Sequence, residues 1–81
     1  QLKQSVNTYI DPKTLLQEHS LKKYKKLPIY KLIKNSGPRH KPLFEVGVKL
    51  HNSKYFISKG SSKKDAEQKA AKLLLSNIGI L

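Results

Sequence analysis

Cysteine, methionine and tryptophan are all absent from the 81 residues. Without cysteine the chain has no disulfide staple, no thiolate nucleophile and no Cys-ligated zinc. Acidic residues are scarce, only Asp11, Glu18, Glu45, Asp65 and Glu67. Asp11 and Asp65 read as helix-start residues and Glu45 as an exposed strand residue, and no pair is positioned to hold two metal ions for phosphodiester cleavage. His19, His40 and His51 fall on three different elements without metal-ligand spacing. No Gly-rich phosphate loop and no set of nucleophile, base and orienting group occurs. The chain therefore reads as one that binds and does not cut. It also lacks the run of about eighteen apolar residues that a transmembrane helix needs, and it carries no signal-peptide pattern. Aromatic residues make up 7%, with Tyr at 9, 24, 30 and 55 and Phe at 44 and 56. That is thin for a platform on which bases stack. A start at Gln1 and the lack of Met read as a piece of a longer protein, or a processed one.

What is abundant is positive charge. Seventeen Lys and Arg against five acids give a formal net charge of +12. A small domain with this excess repels itself and attracts polyanions, nucleic acid first and an anionic membrane surface second. With so few aromatics, contact with a duplex backbone fits better than reading of splayed single-stranded bases. Eighty-one residues make one small domain, and 37% hydrophobic content gives it a modest core.

Local signals divide the chain. Residues 1–9 are polar, without a sustained period, and read as a linker or tail. Asp11 followed by Pro12 is a helix start, and the helix runs to residue 24 or 25, ahead of Pro28. Leu15, Leu16 and His19 share one side of it; Thr14, Gln17 and Glu18 share the other. Three strands follow. The first, 29–35, sets Tyr30 and Leu32 on one face, and 35–42 is turn chemistry. The second, 43–51, alternates with Phe44, Val46, Val48 and Leu50 inward and Glu45, Gly47 and Lys49 outward. The third spans 54–60. The last helix has Ser62 as N-cap and Asp65 as a capping-box-like acid. Ala66, Ala70, Leu73, Leu74 and Asn77 share its inner face, and Gly79 closes it. The expected fold is α+β: a three-stranded antiparallel sheet with two helices on one face and the other face open to solvent. Residues 79–81 form a short tail.

Lys63 and Lys64 stand at a helix start, where cations oppose the dipole at a cost of about 0.3–1 kcal/mol. A bound phosphate resolves that conflict, since it accepts from the free N–H groups and pairs with the lysines. The plainer alternative is a solvated, charged turn. By residue type alone, Gly37–His40 is no more than a hairpin connection, and Thr14, Gln17 and Glu18 form an ordinary solvated face.

The order helix, three strands, helix, with GPRH at 37–40 and SKKDAEQKAAK at 62–72, resembles the double-stranded-RNA-binding domain across residues 10–78. DPKTLLQE at 11–18 with LPIY at 27–30 is similar to the version at the C-terminus of bacterial ribonuclease III. The resemblance implies binding of A-form RNA by shape, over about 16 bp. It assigns Thr14, Gln17 and Glu18 to one minor groove and Gly37, Pro38, Arg39 and His40 to the next. Ser62, Lys63, Lys64 and Gln68 go to the intervening phosphates, with Lys59 and Lys72 adding phosphate contacts. It further implies a cytoplasmic parent that dimerises through an absent Mg²⁺-dependent nuclease domain, the fragment itself being a monomer without cofactor. Three positions depart from the pattern: Ser58 where a glycine is frequent, Ser20 where an apolar residue is common, and the Lys-rich KKYKK at 22–26. The rival readings are a non-nuclease parent bearing the same domain, and a basic module that binds any polyanion.

Overall fold

A computed structural model describes residues 11–51 and 53–81; the expected linker at 1–9 lies outside the described residues. The elements are α1 (Pro12–Tyr24), β1 (Ile29–Ser36), β2 (Leu43–Lys49), β3 (Phe56–Gly60) and α2 (Lys63–Asn77). The three strands form one antiparallel sheet in the order β1-β2-β3. Asp11 caps α1 as expected, its side chain accepting from the Lys13 N–H. Gly79, with φ at +85°, ends α2 in a Schellman turn. There the Ile80 N–H reaches the Leu75 carbonyl at 2.9 Å and the Gly79 N–H reaches that of Ser76 at 3.2 Å.

The alternation of β2 carries the core. Val46, Val48 and Leu50 are buried on the face that α2 covers, and Leu16 of α1 joins Val48, Leu50, Ala70, Ala71, Leu74 and Leu75 in one cluster. Each fully buried Leu contributes about 1.5–3 kcal/mol, and the alanines let α2 approach the sheet closely. β2 stops at Lys49, short of the expected 51, because the turn captures Leu50. Its N–H donates to Ser53 Oγ at 2.9 Å and its carbonyl accepts from the Ser53 N–H at 3.3 Å.

One expectation is corrected. The inner face of α2 runs through Ala66, Ala70, Ala71, Leu74 and Leu75, whereas Leu73 is 44% exposed and Asn77 is also outside. The helix packs against α1 as well as β2 and β3, and serving two neighbours turns its buried stripe toward Ala71 and Leu75. The other face of the sheet is open to solvent, as expected, and carries the exposed side chains of Ile33 and Ile57. A Cβ on Gly47 would lie 3.1 Å from the Tyr55 ring, 3.3 Å from Ile57 and 3.5 Å from Ile33. These side chains fill the space the glycine leaves, and a bulge between Leu32 and Lys34 accommodates Ile33 in β1.

Candidate nucleic-acid interface

The start of α2 is fixed by three neighbouring residues. Gly60 ends β3 so close to the helix that a Cβ there would meet the Ala66 nitrogen at 2.5 Å. Ser62 is extended, with φ −144° and ψ 163°, and its hydroxyl accepts from the Asp65 N–H at 3.0 Å. Asp65 in turn accepts from the Ser61 N–H at 3.2 Å, one residue before the N-cap, and holds Lys69 at 3.2 Å. Lys63 and Lys64 remain exposed. Their N–H groups, the first two of the helix, have no intrahelical acceptor. Donors, dipole and two cations thus point the same way, toward an anion.

On α1, Thr14, Gln17 and Glu18 are all exposed, one turn along a single face. Thr14 Oγ1 donates to Asp11 Oδ2 at 3.0 Å, which leaves its oxygen free to accept. Hydrogen bonds from Gln68 and then Thr14 hold the Asp11 carboxyl below its usual value. Gln68 therefore sits half-buried in the junction of the helices, where its Oε1 also accepts from the Lys13 N–H at 3.1 Å. The Lys13 ammonium donates to Glu67 Oε1 at 2.7 Å. Neither Lys13 nor Glu67 stands out in the sequence: they are 54 positions apart, and only the packing of α1 on α2 pairs them.

Between β1 and β2, Gly37 has φ at +90°, and a Cβ there would come within 2.8 Å of the Lys41 carbonyl. The Lys41 N–H closes a turn onto the Pro38 carbonyl at 2.9 Å. Arg39 and His40 occupy its two central positions, both exposed. Gly37 and Pro38 of this loop share a groove of about 590 Å³ with Lys59, Gly60, Ser61 and Lys69. The fold so brings the loop to the β3–α2 junction and ties the start of α1 to the first turns of α2. Lys59, opposite Glu45 in the sheet register, projects from the face away from the helices. Lys72 is exposed on α2 beside Leu73, about 12 Å along the helix from Lys64.

Comparison with known proteins bears on this surface. The sequence profile described as the double-stranded RNA binding motif matches residues 12–78. Ribonuclease 3 of Pelagibacter ubique is 68% identical over 74 residues, covering 91% of this chain and 33% of that protein. Ribonuclease 3 of Anaplasma marginale is 50% identical over 68 residues, covering 84% of this chain and 29% of its own. The chain thus spans about a third of the length of these curated relatives. Among solved structures, Arabidopsis HYL1, described in connection with miRNA processing, superposes with a TM-score of 0.69 at 37% identity. That match covers 83% of this chain and 94% of the other.

Proposed function

Because the chain belongs to the double-stranded RNA binding motif family, we propose that it is the module with which a ribonuclease III holds duplex RNA. It binds double-stranded RNA by A-form shape. The observation that carries this reading is the shared groove joining the Gly37–His40 loop to the β3–α2 junction, with α1 tied to the same helix. Three contact regions then sit on one rigid frame. Thr14, Gln17 and Glu18 meet 2′-hydroxyls and base edges of one minor groove. Arg39 and His40, carried by Gly37 and Pro38, enter the next, and Ser62, Lys63 and Lys64 span the phosphates between. Gln68 contributes from the helix junction, and Lys59 and Lys72 add charge at the margins.

The parent reading rests on the two Ribonuclease 3 relatives. Their length beyond the matched third leaves room for a nuclease domain that would cut the RNA with Mg²⁺ and form a homodimer, in the cytoplasm. Among the described residues no three or more His, Asp or Glu are grouped to hold a metal ion. No described helix is long and apolar enough to cross a membrane. A second reading, a parent that binds without cutting, draws on the likeness to HYL1.

The test is a titration against duplex RNA, duplex DNA, RNA–DNA hybrid and single-stranded RNA, each about 20 nucleotides long so that a site of about 16 bp fits. It is run at two salt concentrations. Preference for duplex RNA that persists at the higher salt is the expected result. Equal affinity for duplex RNA and DNA, collapsing together as salt rises, would reduce the surface to a generic polyanion binder.

A further inference from the structure

Lys13 is where the two helices meet. Its N–H donates to Gln68 Oε1 at 3.1 Å, its ammonium donates to Glu67 Oε1 at 2.7 Å, and the same ammonium lies 5.3 Å from the centre of the Tyr30 ring. The side chains of this pair are 34% and 15% exposed, against 59% and 38% for the surface pair Lys69–Asp65. Thr14 follows Lys13 directly and Gln17 lies one turn on; Lys63 and Lys64 lie one turn before Glu67. A change in how α1 sits on α2 therefore moves the minor-groove face relative to the phosphate-facing lysines. Charge alone gives no reason for Glu67 here, since an acid one turn from Lys63 and Lys64 repels the polyanion they attract.

Resting on the reading of the chain as a duplex RNA binder, we propose that Glu67 is a positioning residue for RNA recognition. By clamping Lys13 it fixes the α1 face at the separation from the start of α2 that an A-form duplex presents. It touches no RNA itself. The two possibilities differ in sign. Glu67→Ala raises the formal net charge from +12 to +13 and frees the Lys13 ammonium. Electrostatics alone then tightens every polyanion, whereas positioning loosens duplex RNA.

The experiment measures binding of the wild-type chain, Glu67→Ala and Glu67→Gln to a duplex RNA of about 20 bp and to heparin, a polyanion without A-form grooves. Folding at the assay temperature is checked by thermal unfolding. Glu67→Ala is expected to weaken duplex RNA by about fivefold or more, the lower range of coupling between interacting sites, while heparin binds as well or better. The slope of log K against log salt stays as in wild type, because no phosphate contact is removed. Glu67→Gln keeps an acceptor for Lys13 and moves the same way by less; it carries the test if the alanine variant unfolds. Duplex RNA bound as tightly or more tightly by a folded variant overturns the proposal, as does parallel loss of RNA and heparin. A wild-type chain that does not prefer duplex RNA to duplex DNA overturns instead the function on which it rests.

Discussion

At Tyr30, burial has left a polar atom without a use. Among the described residues nothing hydrogen-bonds to its hydroxyl, which is closed to solvent. Burial first, then the charges of Glu67 and Asp11, push its pKa up from 10.0 to about 12. An unfolded tyrosine ionises near pH 10 and the folded one does not, so the native state holds the extra proton. This contribution to stability is intact below pH 10 and is lost as pH rises toward 12. Tyr30→Phe should therefore flatten the fall in urea midpoint above pH 10. Near neutral pH it should be neutral or stabilising by up to about 1 kcal/mol, since no bond is lost. A clear destabilisation at neutral pH would mean that the hydroxyl has a partner. Lys25 is strained in a different way: at φ +61° it adopts the left-handed conformation without being glycine. The buried Ser20 hydroxyl donates to the carbonyl of Lys26 and pins this turn. Lys25→Gly should raise stability by roughly 0.5–1 kcal/mol, the relief of left-handed strain less the added freedom of the unfolded chain. An unchanged urea midpoint would show that the Lys25 side chain earns its strained backbone.

Among the elements, the β3–α2 corner is where a small change should do most harm. Gly60→Ala would set a Cβ 2.5 Å from the Ala66 nitrogen and 2.7 Å from Asp65 Oδ2. The first of these is backbone and cannot swing aside, so α2 must shift. A cost of about 1–3 kcal/mol is expected, with RNA affinity falling because Lys63 and Lys64 move with the helix start. Chemical denaturation of the variant beside an RNA titration checks both; wild-type values in each would mean that the corner has slack. This corner was partly legible in the sequence, since Ser62 and Asp65 announce a cap by residue type and spacing, and Asp11-Pro12 does the same for α1. Local chemistry is written in neighbouring residues. The turn of the α2 stripe toward Ala71 and Leu75 was not legible, because it depends on α1 as a second packing partner. For the same reason Gln68, which the resemblance assigns to the phosphates, is set in the helix junction only by the fold. Covering of Gly47 by Tyr55 and Ile57 depends on the register of β3 against β2, which alternation alone leaves open.

For the whole molecule the governing quantity is charge. At +12 the fold works against its own repulsion, and the described residues offset little of it, with two ion pairs, Lys13–Glu67 and Lys69–Asp65. Salt screens repulsion over about 10 Å at 0.1 M. It should therefore stabilise the free protein, having few attractive pairs to weaken. A gain of about 0.5 kcal/mol would raise the melting temperature by about 2–4 °C in a domain of this size. Binding to duplex RNA must move the opposite way. If Lys59, Lys63, Lys64 and Lys72 each neutralise one phosphate, log K should fall against log salt with a slope of about −3.6, at about −0.9 per contact. The same salt series, read by thermal unfolding without RNA and by affinity with it, then separates the two roles of the charge. A slope steeper than this would bring in lysines of the open sheet face, such as Lys31, Lys34 and Lys49, which project on the side of Lys59. A free protein that melts lower as salt rises would mean that attraction, not repulsion, dominates the folded chain, and the positive surface could not then be a store of repulsion that bound RNA relieves.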